Sequence, residues 1–268
     1  MKALDLLGAT AVKQCCVNLY ESELAKVLLG DSFHPGGLKL TVRLGQLLQL
    51  GEHSRVLDVA SGKGTSALFL AEKFRCTVIG LDYGKQNVDT ANASAAERGI
   101  SSRVRFEQAD AEQLPFADAS FNGVICECAF CTFPDKAKAA REFARVLRQG
   151  GRLGISDLTR SAERPKELEG LLAWTSCIAD AQPVEKYLEW FTSAALEPRT
   201  TESHDEALHE MVRQVQAKLL GAEVLVGLKK IDLPGIDFLS AKQMAATALS
   251  AVQLGHLGYA LIAAEKAR

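Results

Sequence analysis

The stretch RVLDVASGKGTSALFLA, residues 55–71, decides the fold. Val56, Leu57 and Val59 form a short apolar, partly β-branched run of the kind that fills a buried parallel strand. Ser61-Gly62-Lys63-Gly64 follows, a turn that only small residues can make. Thr65 then stands where a helix N-cap is expected, ahead of the apolar positions Ala67, Leu68, Leu70 and Ala71. A strand, a glycine turn and a helix start in succession make a nucleotide-type site. The glycines let a ligand approach the backbone closely, and the first helical turn offers spare N–H donors.

The turn by itself leaves the ligand open. Gly62-Lys63-Gly64-Thr65-Ser66-Ala67 also fits the dinucleotide fingerprint with alanine in third place, and Asp82 follows Gly62 at the distance of a ribose-binding acid. A nicotinamide cofactor, and with it an NAD(P)-dependent oxidoreductase, is therefore one expectation. Two further acids favour a different nucleoside. Asp58 lies just before the turn, placed to accept from an amino group or from backbone N–H groups around the cofactor. Asp110 follows the next strand pattern, in Gln108-Ala109-Asp110-Ala111-Glu112-Gln113-Leu114-Pro115-Phe116.

At these residues the chain resembles the class I S-adenosylmethionine (SAM)-dependent methyltransferases. LDVASGKGT (57–65) is similar to their first motif, VIGLD (78–82) to the second and QADAEQLPF (108–116) to the third. VLRQGGRLGISD (146–157) is similar to the turn and strand after their fourth helix. Ala60 stands where the family usually has glycine. The resemblance covers roughly residues 50–160 and, more weakly, the end of the chain. It implies a doubly wound, seven-stranded, mostly parallel sheet and SAM as cofactor, with Asp58, Ala60, Gly62, Gly64, Thr65, Asp82, Tyr83, Asp110, Ala111 and Glu127 around it. Asp82 would accept from the two ribose hydroxyls, and Asp110 from the adenine amino group while the Ala111 N–H donates to the ring. The structural alternatives are a helix-capping Asp82 and a turn-forming Asp110.

With 268 residues the chain has room for one full α/β domain with additions, and a 47% hydrophobic fraction supports a sizeable core. Thirty-one basic against 33 acidic side chains, a formal charge of −2, argue against a nucleic-acid-binding surface. The first residues show no secretory pattern. The apolar stretch 244–264 is broken by Gln253, His256 and two glycines and reads as a packed helix plus a strand, with no membrane insertion. Seven cysteines, some adjacent, read as reduced thiols of a cytoplasmic protein. The expected partner is a small-molecule substrate, with a homodimer as a further option.

Four segments organise the chain: 1–50 as an N-terminal helical cap, 51–204 as the core, 205–257 as a helical insertion serving as lid or dimer surface, and 258–268 as the last strand and tail. Residues 4–30 and 38–50 carry helical spacing. The resemblance implies that the first of these helices lies across the cofactor, with Tyr20, Phe33 and His34 as contact candidates; ordinary helix packing is the alternative. Residues 165–179 form a helical stretch with Trp174 and Cys177, where relatives build a substrate cap.

The least generic part is Cys126-Glu127-Cys128-Ala129-Phe130-Cys131-Thr132-Phe133-Pro134-Asp135, which falls where such enzymes face the reactive methyl. Thiolates are soft nucleophiles and soft ligands. Three readings stand: a zinc site, a pair (Cys128 and Cys131, helped by Cys177) that holds a soft substrate, or small side chains packing the pocket floor. On the second reading the chain resembles the arsenite methyltransferases, from which its cysteine spacing departs. The expected reaction is methyl transfer to a small thiol, sulfide or metalloid, without a bound metal. The rivals are a carbon, oxygen or nitrogen methyltransferase of a lipid, quinone precursor or natural product, and a SAM-binding protein without turnover. His34, Glu127 and Asp157 are the candidate bases or orienters, Asp157 with Thr159 expected to point into the crevice from a strand end.

Overall fold

A computed structural model describes residues 8–22, 27–28, 34–161, 168, 178, 180–230, 233 and 237–267. Phe33, Trp174 and Cys177, and most of the expected cap helix, lie outside these residues. So does part of the expected 4–30 helix, which is seen as α1 (Ala9–Tyr20).

The decisive stretch folds as its pattern requires. β1 (Arg55–Val59) is followed by α3 (Thr65–Phe74), after α2 (Gly37–Leu47). The alternation then repeats through β2 (Thr77–Asp82), α4 (Lys85–Glu97), β3 (Val104–Gln108), β4 (Phe121–Glu127), α5 (Lys136–Val146) and β5 (Leu147–Arg160). Beyond it lie α6 (Val184–Ser193), β6 (Leu196–Ser203), α7 (Asp205–Gly227), α8 (Phe238–Gln253) and β7 (Leu257–Lys266).

The seven strands form one sheet in the order β3-β2-β1-β4-β5-β7-β6. β1 to β5 run parallel, and β7 is antiparallel to both β5 and β6. Strand side chains alternate between two cores. Val56, Val78, Val104 and Leu261 join the helices α2, α3 and α8 on one face. Leu57, Val59, Leu153 and Ile262 join α5 and α6 on the other. A sheet buried on both faces explains why its strands read as continuous apolar runs.

Two local expectations are corrected. Thr65 is the first helical residue, not the cap; Gly64 takes the cap position with φ +81°. A Cβ on Gly64 would come 2.4 Å from the Phe106 ring, so the tight packing of the turn on β3 excludes a larger cap. The second is the expectation that Gln149-Gly150-Gly151 ends the preceding helix and that the fifth strand spans Arg152–Asp157. Pairing with β4 already begins at Leu147, and the turn forms an irregularity before pairing resumes at Gly123 and Arg152.

Candidate active site

The carboxyl ends of β1, β2, β3 and β4 open into one cleft of about 830 Å³, continuous with solvent. The reversal of strand order between β1 and β4 places it there, as in other sheets of this topology. Ala60 and Gly62 form its floor, Asp82 and Tyr83 one side, Asp110 and Ala111 the far end, and Glu127, Cys128 and Ala129 the other side. Its roof is α1, through Lys13, Cys16, Val17 and Tyr20.

The turn after β1 is held in place by its own backbone and by Asp82. The Ser61 N–H donates to the Leu81 carbonyl at 2.9 Å. Asp82 accepts from Gly62 N–H and Gly84 N–H, each at 2.8 Å, and from the Asn87 amide at 3.2 Å. It therefore straps two ligand-facing loops together, and it does contact the start of α4 as the structural alternative foresaw. Burial pushes the Asp82 carboxyl above its ordinary range, against the pull of those donors. Ala60 has φ +58°, a left-handed conformation that glycine adopts freely and alanine does not. Cys128, after β4, has φ +53°. Two strained non-glycine residues thus flank the cleft.

Asp58 is 2% exposed, and its Oδ2 has no hydrogen-bond partner. Burial, then the nearby Glu127 and Asp82 charges, hold its carboxyl well above the usual range. The Ser61 hydroxyl is a second buried oxygen without a partner. Unsatisfied groups at this depth are costly and mark a place where a ligand completes the bonding.

Glu127 is 4% exposed at its side chain and sits against α2 and the residues before it. The Thr41 hydroxyl donates to its carboxylate, 3.1 and 3.2 Å from the two oxygens. His34 Nε2 lies 3.6 Å from Glu127 Oε2. His34 itself is buried, so it stands behind Glu127 and does not line the cleft. At the opposite end Asp110 is engaged by Lys13 from α1 at 2.9 and 2.8 Å, and Lys13 also reaches Glu112 at 2.7 Å.

Asp157 does not point into the cleft. It is 1% exposed and accepts from Cys131 N–H and Leu158 N–H, both at 2.8 Å, which fixes the 3₁₀ turn Phe130–Thr132 onto β5. Cys131 is completely buried in that turn, and Thr159 pairs within the sheet beside Gly258. Of the pair expected to hold a soft substrate, only Cys128 lines the cleft. Cys126 is buried within β4. Among the described residues no group of three His, Cys, Asp or Glu side chains is placed to hold a metal ion.

Lys13, Cys16, Val17, Thr41 and Ser66 were not anticipated. A signal existed for most of them. Residues 13, 16, 17 and 20 recur at the spacing of one helix face, and Thr41 is a hydroxyl on the otherwise leucine-rich buried face of α2.

Asp82 and Glu127 line the cleft with Asp58 buried close to both, and Lys13 is already engaged by Asp110 and Glu112. A dinucleotide would bring two phosphates into this negative environment. SAM brings a sulfonium and an ammonium, which the same environment favours. The residues present therefore fit SAM.

Comparison with known proteins agrees. A methyltransferase-domain family model matches residues 50–211. The chain is 31% identical to 27-O-demethylrifamycin SV methyltransferase of Amycolatopsis mediterranei, over 91% of this chain and 93% of that one. Among solved structures it superimposes on the cyclase SpnF with a TM-score of 0.80 at 21% identity, covering 97% of both chains. A geranyl diphosphate C-methyltransferase from Streptomyces coelicolor A3(2), in complex with S-adenosyl-L-homocysteine, gives 0.70 at 18% identity, over 86% of this chain and 76% of that one. These two likenesses show the fold. Family match, relative and cleft together place the chain in the methyltransferase-domain family, as a SAM-dependent methyltransferase.

Proposed function

We propose that the chain methylates an oxygen of a small, largely apolar acceptor, a hydroxyl of natural-product or quinol type, and acts in the cytoplasm. The observation that carries this reading is Glu127, a carboxylate on the cleft wall with Thr41 and His34 behind it. SAM, when bound, supplies an electrophilic methyl group. A soft thiol or metalloid then needs little beyond placement, whereas a hydroxyl must also lose a proton and gains from a positioned acceptor. Glu127 supplies that acceptor. Ala129 and Phe133 give the same wall an apolar surface against which a hydrophobic acceptor would lie.

Asp82, Tyr83 and Ala111 would hold the nucleoside, and Ala60, Gly62 and Asp58 the amino-acid end. α1 would cover both and exclude water. The relative named for a demethylated rifamycin supports an oxygen acceptor of this kind. The soft-acceptor expectation is weakened, because Cys131 packs beneath the wall and, of the expected Cys128 and Cys131 pair, Cys128 alone lines the cleft, with Cys16 across from it in the roof.

Methyl transfer from labelled SAM to a polyketide phenol, a quinol, hydrogen sulfide, methanethiol and arsenite tests this directly. Label in the hydroxyl acceptors is the expected result. Turnover of sulfide or arsenite with silent hydroxyls would overturn it.

A further inference from the structure

We propose that Thr41 and His34 are positioning residues that make Glu127 a proton acceptor, with His34 Nε2 as the second resting place for the acceptor's proton. This rests on the hydroxyl-acceptor reading and adds to it the residues that carry the proton.

The geometry leaves the pair one proton short. His34 Nδ1 lies 3.2 Å from the Pro35 carbonyl, which can only accept, so Nδ1 bears the hydrogen of the neutral ring. Nε2 then presents a lone pair. It is 3.4 Å from both the Thr41 and Ser66 hydroxyls and 3.6 Å from Glu127 Oε2. The Thr41 hydrogen is committed to Glu127, which leaves Ser66 to donate to Nε2. A lone pair facing a carboxylate across a buried gap is a site that a single added proton satisfies from both sides.

When a hydroxyl is methylated, an O–CH₃ bond replaces the O–H bond and one proton leaves the oxygen. Glu127, on the cleft wall, takes that proton. His34 Nε2, out of the cleft, can hold it while product and acceptor exchange.

The charged neighbours of Glu127 come from several elements. Asp58 on β1 faces it, with Asp82 of β2 beyond. Tyr259 on β7 faces it together with Cys128 and Asp157, its hydroxyl donating to Ser156 Oγ at 2.9 Å. Lys13 of α1 is taken up by Asp110 and Glu112. Among the described residues, His34 is thus the imidazole that can take a proton beside Glu127, and Thr41 its hydroxyl donor.

The test compares wild type, Thr41→Val, Thr41→Ser and His34→Gln. It follows the pH dependence of kcat/KM with a hydroxyl acceptor, SAM affinity by calorimetry, and the His34 ring titration by nitrogen NMR without SAM. Loss of a hydrogen bond to the charged form raises a carboxyl pKa. Thr41→Val should therefore move the acid limb up by about one pH unit, a roughly tenfold rate loss on that limb. SAM affinity should stay within about twofold. Thr41→Ser should restore the limb, and Thr41→Val should also shift the His34 titration. An unmoved limb, or a limb unmoved while SAM affinity drops tenfold, overturns the proposal and leaves Glu127 to the cofactor. If wild type turns over no hydroxyl acceptor, the parent reading falls instead. The His34 titration still decides whether the pair shares a proton: a titration that Thr41→Val leaves unmoved overturns it.

Discussion

Asp58 shows at the scale of one residue how the site is built at the expense of stability. Its carboxylate is buried, faces two like charges and leaves one oxygen without a partner. The folded chain therefore prefers Asp58 protonated. The stability it contributes is complete below the ordinary aspartate range and is lost as pH rises toward the elevated folded value. Above the ordinary aspartate range, ionising Asp58 in the fold costs stability, a cost that a cationic ligand beside it would offset. Asp58→Asn keeps an acceptor for the Ala67 N–H and removes that charge. In differential scanning fluorimetry it should raise the melting temperature of the SAM-free protein at pH 7 by about 2–4 °C, equivalent to roughly 1 kcal/mol. The gain should shrink as pH falls through the acidic range, and calorimetry should show weaker SAM binding. Destabilisation at pH 7 with intact SAM affinity would contradict this account. Ala60 tells a related story: the family's usual glycine stands where this backbone has φ +58°, and the alanine carries the left-handed strain.

Helix α1 is the element on which cofactor access turns. Besides the buried Val12, polar contacts tie it to the core: Lys13 to Asp110 and Glu112, and Glu21, just past its end, accepting the Asn87 N–H at 3.2 Å. Although burial works against it, the two carboxylates hold the Lys13 ammonium above its ordinary pKa. Lys13→Met keeps the stem and removes the charge. A partly buried pair of this kind contributes on the order of 1 kcal/mol, so SAM should dissociate about fivefold faster, measured by stopped-flow. Hydrogen exchange of the α1 amides should quicken in parallel. An unchanged off-rate would mean that the latch does not govern the roof. The 3₁₀ turn after β4 teaches the opposite lesson. Asp157 lies at a strand end, where sequence position suggested an active group, yet both its oxygens serve backbone N–H groups of the wall.

Across the whole molecule, the sheet order decides what the cleft can accept. Reversal between β1 and β4 gathers strand ends from β1 through β4 at one place, and three of them carry buried carboxylates. SAM at about one hundred times its dissociation constant should stabilise the fold by roughly 2.7 kcal/mol, a rise of about 5–10 °C in melting temperature. NADPH at the same concentration should leave it within about 1 °C. A larger shift with NADPH would reverse the choice of cofactor.

Much of this was legible in the chain itself. The apolar runs at 56–59, 78–81 and 153–155, each closed by glycines or an acid, suffice for a parallel sheet with a nucleoside at its tips, because strand burial and backbone approach are local demands on residue type. Asp58, Asp82 and Asp110 could be picked out for the same reason. Which cysteines face the ligand could not be read, since one residue's rotation in the turn after β4 separates wall from core. Nor could the meeting of Lys13 with Asp110, or of Thr41 and His34 with Glu127, be read. Those contacts join segments some 90 residues apart, and only the packing of α1 and α2 against the finished sheet brings them together.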